Sequence, residues 1–327
     1  MQRQIQLRRF LNHHLEYDAK RVHSAIDDHL EILAALEGGE RAVATASGMA
    51  AIHGLVQAFL SAGDHIVASQ SLFGATVQLL GNILPRFGIE VTFVAATDLD
   101  AWRAAVRPNT KLFFGETVGN PGLDVLDIPT VSQIAHEAGV PLLVDSTLTS
   151  PWLIKPFDHG ADLVYHSATK FLSGHGTVIG GVLVDGGSFD WEKSGKFTEL
   201  TSAYEGFHNM VFSEESTVGA FLLRARREGL RDFGACLSPH SAWLILQGIE
   251  TLHLRMQAHC RNALAVAQFL QSHPLVSWVN YPGLAESPHH ALAKKQFRAI
   301  DGQPGASGIL TFGIRAGDPV KAGERFI

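Results

Sequence analysis

The chain has 327 residues, 46% hydrophobic and 18% charged, which is enough apolar material for a sizeable core and excludes a disordered chain. Its formal charge of -6 excludes a general attraction to nucleic acid or anionic membrane. Two cysteines, Cys236 and Cys260, are too few and too far apart for a disulfide framework or a zinc motif, and they fit a reducing compartment, the cytoplasm.

No apolar run reaches the roughly 18 residues of a membrane span. The first ten residues are basic, with no acid before Glu16, but they lack the serine enrichment and the following apolar core of an import or signal segment. His13-His14 and His289-His290 have no cysteine or acid at ligand spacing and read as solvated surface.

From residue 40 short β-rich runs alternate with helix-like stretches, the pattern of a mostly parallel sheet covered by helices. A strand over 41–45 runs through Ser47-Gly48-Met49 into a helix over 50–60. Strands over 64–68 and 90–94 enclose a helix over 75–87, and another helix covers 98–106. A strand over 111–114 ends at Gly115-Glu116, and a helix over 129–138 stops at Gly139, a residue suited to a left-handed cap. Strands over 140–144, 161–166 and 178–185 complete a seven-stranded sheet. Residues 186–213 are irregular and aromatic-rich, and a long helical stretch over 239–272 leads to two further strands, 276–280 and 308–314. This divides the chain into an atypical segment 1–35, a large domain 36–238 and a linker helix with an incomplete α+β domain, 239–327.

The chemistry is concentrated where strands end, which is where open α/β sheets place ligands. The apolar run 140–144 ends on Asp145, and the run 161–166 leads into Ser167-x-Thr169-Lys170. A lysine flanked by two hydroxyls, beside a strand-end carboxylate, is what pyridoxal 5'-phosphate (PLP) requires. The lysine makes the covalent link, and the carboxylate keeps the pyridine nitrogen protonated so that the ring accepts electrons. Ser167 and Thr169 could hold the phosphate, as could the backbone at Gly48 and Met49, where a helix begins. Phe73 follows the second strand and could stack on a planar ring.

Each of these features has an ordinary alternative. Ser-Gly before a helix is usually an N-cap, Phe73 alone would be a core residue, and Asp145 alone would be a turn residue. A carboxylate after a fully apolar strand, however, is costly to bury unless it meets a cation or a protonated ring. Ser167-x-x-Lys170 also matches the nucleophile of penicillin-interacting enzymes, but the Ser-Asp-Asn and Lys-Thr-Gly elements are missing. Gly174-x-Gly176-x-x-x-Gly180 has the wrong spacing for a dinucleotide fingerprint and precedes a strand instead of a helix.

With these residues in view, the chain resembles the Cys/Met-metabolism family of PLP enzymes. The anchors are 35–39 (Ala-Leu-Glu-Gly-Gly), 47–49, Glu116-Thr-Val-Gly-Asn120-Pro121, Asp145-Ser-Thr147 and 166–171 (His-Ser-Ala-Thr-Lys-Phe). The resemblance implies an aspartate-aminotransferase-like α/β fold. It gives Lys170 the catalytic, PLP-linking role and Asp145 the ring nitrogen, with Gly48, Met49, Ser167 and Thr169 in the phosphate cup and Phe73 on the ring. Asn120 falls where the family contacts cofactor oxygen and substrate, and Thr147 falls in the cofactor site. Residues 185–197 and 230–256 resemble the O-acetylhomoserine sulfhydrylase branch. That branch implies γ-replacement on O-acetyl-L-homoserine with sulfide or a small thiol, in a cytoplasmic homotetramer. The rival readings are a cystathionine or methionine γ-lyase or γ-synthase, and a shortened chain that binds PLP with impaired catalysis.

Two departures from the family pattern stand out. Tyr17 and Arg21 do not reproduce the Tyr-x-Arg element that reaches a neighbouring subunit's phosphate. The chain also ends before the late loop and the arginine that would grip a substrate carboxylate. Turnover is therefore expected to be weaker than in a completed chain. Arg255 or a partner subunit's residue is the substitute to look for, and apolar surface is expected along 239–272 and its neighbouring strands.

Overall fold

The computed structural model describes residues 32–215 and 219–326. Seven strands form one sheet: β1 (Arg41–Thr45), β2 (His65–Ser69), β3 (Glu90–Val94), β4 (Thr110–Glu116), β5 (Leu142–Asp145), β6 (Leu163–Ser167) and β7 (Gly181–Asp185). Their spatial order is β1-β7-β6-β5-β4-β2-β3. The pairs from β3 through β6 are parallel, and β7 runs antiparallel to both β6 and β1. All strands but β7 therefore end at the same edge. The expected architecture, a mostly parallel seven-stranded sheet under helices, is the one observed.

Side-chain alternation explains why both faces are covered. Ile66, Leu112, Phe114 and Leu143 pack with the Gly48–Phe59 helix on one side. Val67, Phe113, Leu142 and Val144 pack with the Ile128–Glu137 helix on the other. A strand apolar at successive positions must bury both faces, as these do. Ser47 fixes the start of the Gly48–Phe59 helix, its Oγ accepting from Ala50 N–H at 3.1 Å. Gly139, with φ +68°, closes the Ile128–Glu137 helix as expected.

Three elements differ from the sequence expectation. The helix expected over 75–87 is a short α-helix, Gly74–Gln78, followed by a π-turn, Leu79–Ile83, and a 3-10 turn, Leu84–Phe87. Pro85 offers no N–H to a continuing α ladder. The stretch 239–272 is two helices, Pro239–Glu250 and Leu252–Ser272, parted at Thr251, whose hydroxyl turns back to Gly248 O at 3.3 Å. The last strand starts later than expected. β8 (Val276–Asn280) is followed by the two-residue ladder of β9 (Ala299–Ile300) and β10 (Gln303–Pro304), and then by β11 (Thr311–Ile314), which pairs antiparallel with β8. Residues Ile309 and Leu310 instead pack against the core on the Ile128–Glu137 side.

The two histidines at 289–290 are also not solvated surface. His289 Nε2 lies 3.2 Å from Asp124 Oδ1, with its side chain 14% exposed, and His290 is half-buried. The acidic partner is present, but 165 residues away in sequence. His13-His14, Tyr17 and Arg21 lie outside the described residues. Exposed apolar side chains do gather on the late elements, among them Leu254, Phe269, Trp278 and Phe326.

Candidate active site

The common carboxyl edge of the sheet opens on a cavity of about 620 Å³, lined by every residue singled out above: Gly48, Met49, Phe73, Asn120, Asp145, Thr147, Ser167, Thr169 and Lys170. Its size falls within the usual range for small-molecule sites. Residues far apart in sequence meet here because five parallel strands end side by side.

Asp145 closes β5 and is 6% exposed. Its Oδ1 accepts from Thr147 N–H at 2.8 Å. Burial pushes its carboxyl up to about 6, opposed by hydrogen bonds from Thr147 and by the nearby His166. Thr147 ties two strand ends together, since its hydroxyl also accepts from Ser167 N–H at 2.8 Å. Behind the site, His166 Nε2 meets Glu37 Oε1 in a fully buried pair, linking the helix that precedes β1 to the lysine strand.

Lys170 stands in a tight turn after β6, its N–H bonded to Ser167 O at 3.1 Å, and its side chain is exposed to the cavity. Thr169 is turned away from the others: its N–H and hydroxyl both point to Gly180 O, at 3.3 and 3.2 Å. Phe73 is 44% exposed at the cavity wall, an apolar ring left open to whatever the cavity holds. Gly48 begins its helix with no room for a side chain. A Cβ there would collide with Tyr165 Oη and stand 3.1 Å from Ser167 Oγ.

Two wall residues were missed by sequence reasoning. Glu116 ends β4 beside Asp145, buried, with its Oε1 accepting from Phe73 N–H at 2.5 Å. Burial, then the charge of Asp145, raises its carboxyl well above the usual range. The signal was available: 112–115 is another apolar run, and it leads straight into a carboxylate. Tyr165 is buried between Asp145 and Gly48, and its hydroxyl is raised by burial and by the two carboxyls. No pattern in the sequence marks it apart from any other strand aromatic.

These residues fit PLP on the structure's own terms. A bare-backbone helix start forms a cradle that a Cβ would fill, suited to an anionic phosphate. A buried carboxyl without a salt bridge among the described residues suits a protonated ring nitrogen. Arg255, the candidate substitute for a carboxylate grip, is not free: its guanidinium is bound to Phe171 O, Gly248 O and Thr251 Oγ1.

Comparison with known proteins agrees with this geometry. The model of the Cys/Met metabolism PLP-dependent enzymes matches residues 1–326, including the segment 1–35 that precedes most of the motifs. The chain is 49% identical over 303 residues to O-acetyl-L-homoserine sulfhydrylase of Leptospira meyeri, covering 90% of this chain and 67% of that protein. It is 44% identical over 287 residues to homocysteine synthase of Schizosaccharomyces pombe, covering 87% and 66%. It thus spans about two thirds of the length of the curated relatives it matches. A solved O-acetylhomoserine (thiol)-lyase of Campylobacter jejuni, which carries N'-pyridoxyl-lysine-5'-monophosphate, superposes with a TM-score of 0.84 at 36% identity, covering 88% of this chain and 70% of that one. O-acetylhomoserine sulfhydrylase of Wolinella succinogenes superposes with a TM-score of 0.78 at 40% identity, covering 89% and 77%. A lysine and a carboxyl at neighbouring strand ends, in a chain matched almost from end to end, place this protein in the Cys/Met-metabolism family of PLP-dependent enzymes.

Proposed function

We propose that the chain is a PLP-dependent transferase carrying out γ-replacement on O-acetyl-L-homoserine. Sulfide or a small thiol replaces acetate at Cγ, giving homocysteine or methionine. The observation that carries the reading is the placement of Lys170 and Asp145 on adjacent strand ends over one cavity. The substrate class is supported by the names of the relatives.

When bound, PLP supplies an electron sink for charge left on the amino-acid carbon. Lys170 Nζ would carry the covalent link. When free, its amine would take the Cα proton and return it later as general base and acid. Asp145 would hold the ring nitrogen's proton, since burial disfavours a bare carboxylate there. The N–H groups of Gly48 and Met49, with Ser167, would take the phosphate, and Thr169 would contribute after turning from Gly180. Phe73 would cover a ring face, and Asn120 and Thr147 would order the cofactor's edge. At Cγ the carbon–oxygen bond to acetate breaks and a carbon–sulfur bond forms, with the thiol proton leaving in the acid.

The large domain, 36–238, would hold the cofactor, and 239–327 would form the linker and smaller domain. The family resemblance further implies a cytoplasmic location and a homotetramer, the latter measured directly by light scattering.

The test is reduction of the PLP-incubated protein with borohydride, followed by peptide mapping and product analysis. Label on Lys170, its loss in Lys170→Ala, and homocysteine from O-acetyl-L-homoserine plus sulfide are expected. A protein that takes up no PLP would defeat the cofactor reading. Ammonia and a 2-oxo acid as main products would make it a γ-lyase instead.

A further inference from the structure

The Leu252–Ser272 helix sends one side chain back to the turn that carries Lys170. Arg255 Nη1 donates to Phe171 O at 2.8 Å, and Nη2 to Gly248 O at 2.6 Å and Leu172 O at 3.4 Å. Its Nε donates to Thr251 Oγ1 at 3.1 Å. Among the described residues it makes no salt bridge. Guanidinium has a fixed fork of donors and no acceptor, so a group so engaged offers little to a substrate carboxylate.

The carbonyl oxygens it gathers belong to two separate segments. Gly248 O is in the last turn of the Pro239–Glu250 helix, where the carbonyl end carries partial negative charge, and it also accepts from the N–H and the hydroxyl of Thr251, each at 3.3 Å. Phe171 O and Leu172 O are in the lysine turn, which is otherwise framed by Ser173 N–H to Ala168 O at 3.1 Å and Gly174 N–H to Lys170 O at 2.8 Å. The packing leaves no slack. A Cβ on Gly174, where φ is +70°, would collide with the Arg255 guanidinium, and one on Gly248 would collide with Ser173 O. One cation thus joins the lysine turn, the end of one helix and the start of the next.

We propose that Arg255 is a positioning residue for Lys170, holding the Phe171–Leu172 backbone so that the lysine projects into the cavity at a fixed angle. The proposal rests on Lys170 being the cofactor lysine. Its consequence is that the helix leading to β8 and β11 sets the geometry of the reacting amine, and that Arg255 does not bind substrate.

The experiment compares the full chain with Arg255→Ala, Arg255→Lys and, as a control on the same helix, Arg261→Ala, whose side chain makes an exposed pair with Asp301. Amide exchange over 168–176 is followed in cofactor-free protein, and the visible absorbance of PLP-loaded protein is titrated with pH. In Arg255→Ala, exchange at Ser173 and Gly174 should quicken by about tenfold or more, as expected when a local clamp opens. The absorbance midpoint should move by about half a pH unit or more as the lysine's surroundings change. Sulfhydrylase kcat should fall roughly 10- to 100-fold with KM nearly constant, the sensitivity expected of a misplaced reacting group. Arg255→Lys should lie between, and Arg261→Ala should match the parent. Unchanged exchange would overturn the proposal. So would faster exchange or lower Tm with an unmoved absorbance midpoint, which would mark a merely structural contact. If Arg255→Ala does not fold, Arg255→Lys decides by the same readouts. If the parent takes up no PLP, the functional reading fails, and the exchange data still decide whether Arg255 clamps the turn.

Discussion

Glu116 and Asp145 end neighbouring parallel strands in register, so two buried carboxyls stand side by side in the cavity wall. They cannot both ionise cheaply, and the structure distinguishes them. Burial raises both; Asp145 is eased by Thr147 and His166, and Glu116, pushed up further by the charge of Asp145, is eased by the N–H groups of Phe73 and Asn120. Glu116 takes the added push of its neighbour's charge, and its oxygen accepts from Phe73 N–H.

Glu116→Gln should therefore be almost neutral in stability or better, because its amide oxygen still accepts from Phe73 N–H and sets no charge beside Asp145. Glu116→Ala strands that N–H and should cost about 1–3 kcal/mol. Urea unfolding of the two variants checks this. Equal losses would mean that the Phe73 N–H contact is not what Glu116 contributes.

In the cofactor-free protein the folded-state pKa of Asp145, about 6, lies above its ordinary value of 3.8. The folded chain then binds more protons than the unfolded chain between those values. The stability associated with this group is full below about pH 4 and falls as pH rises through 6. Asp145→Asn should match the parent at acid pH and exceed it by on the order of 2 kcal/mol at pH 7. Unfolding curves across that range measure the gap. A gap that does not widen with pH would refute the burial account.

Gly48→Ala should weaken PLP binding by about tenfold or more, roughly 1.4 kcal/mol, since its methyl group meets Tyr165 Oη. Adding Tyr165→Phe removes that oxygen and should restore part of the affinity. Absorbance titration of the single and double variants is the measurement, and no recovery would place the loss elsewhere.

The buried pair of His166 and Glu37 should be costly to break from one side. His166→Ala leaves a carboxyl buried without its partner and should destabilise by about 3–5 kcal/mol. Replacing both, as Glu37→Met with His166→Leu, should cost much less than the sum of the single changes. A double-mutant cycle in urea tests the coupling.

The alternation of apolar runs with helical stretches determined the sheet, and the runs that end in Asp145 and Ser167-x-Thr169-Lys170 marked where its chemistry lies. These features are local: a strand buried on both faces must be apolar along its length, so a carboxyl or lysine at its end stands out within ten residues or fewer. Glu116 carried the same mark. What the sequence could not carry was the pairing of distant groups. His289 looked solvated because Asp124 is far along the chain. Arg255 looked available for a carboxylate because the carbonyls that hold it, 84 residues before it at Phe171, become neighbours only after two helices pack against the sheet. Backbone carbonyls are identical at every residue, and only tertiary structure decides which of them a cation finds.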